Sequence, residues 1–301
     1  MTASFSTGEA PLQIVDVHTQ VVSRDADRFP HAPIEGIHRE WPLDHSVSIE
    51  ELITYLDGAG VAQAVLVQSS TAYGYDNSYV ADCVSRFPDR VVGMCCIDGG
   101  APNASDRLRY WVEERGMAGV RFVLTPANAW IERPESAQVW REAARLEVPV
   151  ALAGRRLDLA AVGRVLEEYP DARLLLDQMA NPDASGAAFY AAADPLFTLA
   201  TFPNVYLKFT SVNVRKLRDQ GVDADVFLRT VIQHFGARRV LWGSNFPSSF
   251  AVSGDQPYRD LLEQALSIVG GMSPEDRRWI MGETARSVFA GLGGRVLMSR
   301  K

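Results

Sequence analysis

The chain has 301 residues, a formal charge of −7, 47% apolar residues and 22% charged ones. That composition is ordinary for a folded protein and excludes a disordered or collagen-like chain, and a chain this long needs no disulfide or metal merely to fold. An acidic balance without any basic run also argues against nucleic acid or an anionic membrane surface as a partner.

Residues 1–11 lack the basic and apolar stretches of a signal peptide and read as a flexible N-terminus. No apolar run reaches the ~18 residues of a membrane span. Eight β-branched or aliphatic runs then follow: 12–17, 64–68, 91–96, 119–124, 148–153, 172–177, 204–209 and 239–243. Near-continuous apolar strands alternating with helices predict a parallel sheet buried on both faces, and eight such units predict a single-domain (β/α)8 TIM barrel over residues 12–290. Ser48 and Glu51 form a capping box before one helix, and Gly58 and Gly60 end it. The stretch Leu157 to Tyr169 has helical spacing and stops at Pro170, and Ser273-Pro274 opens a last helix over 275–290. Residues 291–301 read as a tail. Cys83, Cys95 and Cys96 form no CxxC pair, so neither a disulfide framework nor a structural zinc site is indicated, and a reduced, cytoplasmic setting fits.

The longest irregular segment is 19–47, which carries His31, His38, Trp41 and His45. In a barrel it lies over the C-terminal face, where such enzymes build their sites, and it reads as a lid or as a plain surface loop. Polar residues at the C-terminal ends of apolar strands are the site candidates, because burying them is costly unless they are satisfied. Strand one supplies Asp16, His18 and Gln20, which alternation places on one side. Strand two supplies Gln68, followed by Tyr73 and Tyr75; strand four supplies Arg121, strand six Asp177 and Gln178, strand seven Lys208, and strand eight Asn245. There is no G-x-S-x-G elbow, H-E-x-x-H motif or phosphate-binding loop.

In order and spacing, IVDVH (14–18), Gly119-Val120-Arg121, LLLDQ (174–178), NVYLKF (204–209), RVLWGSNFP (239–247) and IMGETARSVF (280–289) resemble the amidohydrolase superfamily. The resembling branch, amidohydrolase 2, includes sugar lactonases, dicarboxylate lactonases and aromatic decarboxylases. The resemblance implies a barrel hydrolase with a metal motif Asp-x-His-x-His, a His after strand six and an Asp after strand eight. This chain has Gln20, Gln178 and Asn245 at those three positions, and strand five offers neither His nor Lys. Carboxamides are weak neutral donors for a zinc-type ion, so no cofactor and no tightly held metal are expected.

Without a metal, both water activation and carbonyl polarisation fall to side chains. His18 is the candidate general base, with Asp16 placed to orient it, and Lys208 and Arg121 are the cations for a carboxylate or an oxyanion. Asn245 completes the catalytic set, and Gln20, Gln68, Tyr73, Arg121 and Gln178 join Asp16 as substrate contacts. The expected function is metal-independent hydrolysis of a small, oxygen-rich, carboxylated lactone or ester. A metal-free lyase step (decarboxylation, dehydration or cyclisation) and a non-catalytic binding protein are the alternatives. The expected partner is a small molecule, and a homo-oligomer is compatible with the sequence.

Overall fold

A computed structural model describes residues 12–34, 46–124, 130–154, 157–184, 190–247 and 257–292. Eight strands form one parallel sheet in sequence order: β1 Val15–Thr19, β2 Gln63–Val67, β3 Val91–Cys96, β4 Met117–Leu124, β5 Val150–Gly154, β6 Leu174–Leu176, β7 Val205–Thr210 and β8 Val240–Gly243. Helices between the strands cover the outside, which gives the expected (β/α)8 barrel. All eight predicted runs become strands, with ends shifted by a few residues.

The barrel closes between β1 and β8 by a thin seam. A single parallel bridge joins Thr19 to Phe246, and the Gln20 N–H donates to the Phe246 carbonyl at 2.9 Å. Side chains inside the barrel form one apolar layer of Val15, Val17, Val65, Val67, Met94 and Leu241, while Leu66, Val120, Leu152 and Leu207 pack outward under the helices. Ala285, Val288 and Phe289 from the last helical segment join the inner layer and close its floor.

Local signals act as the sequence suggests. Ser48 caps Ile49–Ala59 with the reciprocal Glu51 bond, and Gly60 ends that helix in the left-handed region at φ 71°. Ser273 caps the last helix, which runs without a backbone break from Pro274 to Val288 and contains one π turn at Trp279–Glu283. All three cysteines are free and buried. Of the 19–47 segment, residues 20–34 form no helix or strand, with Gln20, Val21, Val22 and Phe29 buried and 24–28 exposed, whereas His38, Trp41 and His45 lie outside the described residues, as do 1–11 and 293–301. Among the described residues no helix is long and apolar enough to cross a membrane.

Candidate active site

Strict alternation along β1 would send Asp16 and His18 the same way. The structure departs from this because the β1–β2 register slips by one residue between Asp16 and Thr19. Such a bulge re-aims side chains. Asp16 turns to the β1–β8 seam, where its carboxylate accepts the backbone N–H of Ser244 at 2.9 Å and the hydroxyl of Tyr258 at 2.9 Å. It also accepts the backbone N–H of His18 at 3.0 Å. Asp16 therefore holds the His18 main chain, not its imidazole as the sequence reading expects. The His18 ring instead faces Asp177, with Nδ1 3.8 Å from Oδ1.

Asp177, at the end of β6, is the hub. Lys208 Nζ lies 3.0 Å from its Oδ1, and Arg121 Nε donates to its Oδ2 at 2.8 Å. His18, Asp177 and Lys208 are almost wholly buried, and Arg121 retains 8% exposure. Burial alone would raise the Asp177 pKa, but Lys208 and Arg121 outweigh it and hold the carboxylate well below its usual range. Burial lowers the Lys208 pKa, and Asp177 opposes that shift. Burial also drives the His18 pKa down to about 3, against the pull of Asp177 and with help from the two cations. The imidazole is thus neutral at pH 7. Neither of its nitrogens has a hydrogen-bond partner among the described residues. Lys208 and Arg121 thus share the Asp177 carboxylate, and Lys208 also feels the buried Asp16.

At the mouth stand the amides. Gln178 begins a run of four left-handed residues, Gln178 to Asn181, with φ between 48° and 59°, and Asn245 is left-handed at φ 58°. Asn213 steadies the run by donating to the Gln178 carbonyl at 2.7 Å. Non-glycine residues pay for this conformation, so its occurrence on both loops that replace family ligands marks them as built features. Gln178 Nε2 donates to Asn245 Oδ1 at 3.4 Å, and Gln20 is buried nearby in sequence beyond the bulge.

Other candidates have bonds to the loops beside them. Gln68 commits its amide N–H to the Asp76 carbonyl at 2.5 Å, anchoring the turn after β2. Tyr73 accepts the Ser23 N–H at 2.7 Å and packs against His31 and Tyr79. Cys95 donates to the Gly119 carbonyl, and burial pushes the Cys96 thiol up to about 12, too high for a nucleophile. Tyr258, whose hydroxyl bonds Asp16, has no counterpart among the candidates read from the sequence.

The donor set does not fit a zinc-type dication. Among the described residues no three His, Cys, Asp or Glu side chains converge. The carboxylate that faces the His18 ring, Asp177, is already bound by two cations, which would repel a third positive charge, and the neighbouring loops offer amides.

A family model described as amidohydrolase matches residues 15–291. The L-fucono-1,5-lactonase of Burkholderia ambifaria is 28% identical over 250 residues, covering 78% of this chain and 80% of its own. Among solved structures, a candidate 2-pyrone-4,6-dicarboxylic acid hydrolase from Pseudomonas putida superposes with TM-score 0.73 at 21% identity, covering 94% of this chain and 99% of its own. A similarly described protein from Acinetobacter baumannii, with citric acid bound, gives TM-score 0.71 at 17% identity, covering 92% and 99%.

Proposed function

The chain belongs to the amidohydrolase family, and on that footing we propose that it hydrolyses a small, oxygen-rich lactone or related ester that carries a carboxylate, without a bound divalent metal. The observation that carries this reading is the buried pair of cations, Lys208 and Arg121, sharing one carboxylate beside an imidazole whose nitrogens have no hydrogen-bond partner among the described residues. The lactonase relative supports the bond type.

A neutral His18 can accept a proton from water as the water oxygen attacks the ring carbonyl. The carbonyl π electrons move onto oxygen, where Lys208, Arg121 and the amides of Gln178 and Asn245 supply positive charge and N–H donors. As the tetrahedral centre collapses, the ring C–O bond breaks and the leaving oxygen takes the proton back from His18. A hydroxy acid results, with no net change in the protein. Imidazolium is costly in so buried a place, but Asp177 at 3.8 Å favours it. A substrate carboxylate seated on Arg121 would remove one of the two cations that oppose it.

The test is turnover of L-fucono-1,5-lactone, 2-pyrone-4,6-dicarboxylate and uncharged lactones in oxygen-18 water, before and after exhaustive chelation. The expected result is one heavy oxygen in the product carboxylate, retained activity after chelation, and loss of about a hundredfold or more in kcat/KM in Lys208→Met. Activity that tracks added zinc would overturn the metal-free step. Product free of heavy oxygen would replace hydrolysis with a lyase reaction, and absence of any turnover would favour a binding protein.

A further inference from the structure

Asp16 ties together the ends of two strands that no continuous ladder joins. Its Oδ1 accepts the backbone N–H groups of His18 and Ser244 at 3.0 and 2.9 Å, and its Oδ2 accepts the Tyr258 hydroxyl at 2.9 Å. Tyr258 is the second residue of the helix Pro257–Val269, is 1% exposed, and is held edge-on by Phe246 at 5.2 Å. Phe246 is in turn packed by Tyr55 at 5.0 Å. The phenol is therefore fixed from the outer layer of the barrel, and its hydroxyl donates to Asp16.

We propose that Tyr258 is a positioning residue: by fixing the Asp16 carboxylate it sets where β1 carries the His18 imidazole and where β8 carries the Asn245 amide. A carboxylate pinned through one oxygen can still pivot about its own axis. The Tyr258 hydroxyl on the other oxygen, together with the Ser244 hydroxyl that also bonds this carboxylate, opposes that rotation and fixes both backbone N–H groups at once. Ser244 directly precedes the left-handed Asn245, so a turn of the Ser244 peptide would swing that amide. The space is already tight, since a Cβ on Gly243 would stand 2.7 Å from His18 Cβ. The inference rests on the reading of His18 as the base and deepens it, because it assigns a role to a side chain on the barrel's exterior.

Tyr258→Phe keeps the ring and deletes the donor. Two readouts separate positioning from mere packing. The first is the nitrogen-15 spectrum of the imidazoles, with His18 identified by its loss in His18→Gln. The second is lactone turnover. The His18 signals should move, and kcat should fall about tenfold with KM within about twofold, as expected when a reacting group is displaced and the binding groups are not. Unmoved His18 signals with kcat within twofold of wild type would overturn the assignment, whatever happens to the unfolding temperature. If the wild-type enzyme turns over none of the lactones, the imidazole spectrum alone decides: shifted signals uphold positioning while the hydrolase reading falls. Should Tyr258→Phe not fold, Asp16→Asn serves, since its amide oxygen can accept both backbone N–H groups while its NH2 donates to the Tyr258 oxygen in a reversed bond; near-normal turnover supports positioning, and a loss as complete as that of His18→Gln would make Asp16 a reacting group and overturn it.

Discussion

Acidifying the protein from pH 7 to pH 5 should weaken its fold through one imidazole. His18 has a folded pKa of about 3, set chiefly by burial, against an ordinary value of 6.5. Between those limits the unfolded chain holds a proton that the folded chain refuses, so stability rises with pH across the window. Above pH 6.5 there is no penalty; it begins as pH falls below 6.5 and is complete near pH 3. Each pH unit inside the window is worth about 1.4 kcal/mol, so at pH 5 the loss is about 2 kcal/mol. Urea unfolding at pH 7 and pH 5 measures it, with His18→Gln as the reference in which this site cannot titrate. Both proteins lose what other groups contribute, and the wild type should lose about 2 kcal/mol more. A difference below about 0.5 kcal/mol would mean that the folded imidazole takes up its proton freely. It would then be solvated or paired, and the dry, partnerless setting on which the site argument stands would be wrong.

Two further changes probe the cluster around it. Asp177→Asn leaves Lys208 and Arg121 buried or near-buried without their shared counter-charge, and unfolding in urea should register a loss of about 3–5 kcal/mol; a loss under 1 kcal/mol would show that the ion pairs are not the hub drawn here. Gly243→Ala forces a methyl to within 2.7 Å of His18 Cβ, so it should cost about 1–3 kcal/mol by denaturant titration and lower kcat more than it raises KM; an unaltered kcat would show that the β1–β8 seam has slack.

The barrel was legible in the sequence because its signal is repeated. Eight apolar runs, each flanked by helical spacing, leave few topologies, and errors at individual ends do not accumulate. The cations were legible for a related reason: Arg121 and Lys208 interrupt runs that are otherwise apolar, where an unpaired charge would be costly. Asp177 was visible as a strand end, but its role as the shared partner of both cations depends on three strands meeting in space. Alternation failed at β1, where the bulge between Asp16 and Thr19 carries no local mark; neither proline nor glycine announces it. Tyr258 had no signal at all, since it meets Asp16 across 242 residues of chain.

The polarity of the site follows from few substitutions relative to the family pattern. Where that pattern supplies imidazoles and a carboxylate for a cation, Gln20, Gln178 and Asn245 supply dipoles, which hydrogen-bond but do not neutralise charge. The carboxylate that remains at the centre, Asp177, is spent on Lys208 and Arg121. A dication entering this space would meet two fixed positive groups and a neutral ring. An anion would meet the same two groups with their attraction strengthened by low dielectric surroundings. The chain's overall charge of −7 does not reverse this, because surface charges are screened beyond about 8–10 Å at physiological salt whereas buried ones are screened much less. The local field at the site is therefore set by Lys208, Arg121 and the carboxylate they share, not by the chain's overall charge.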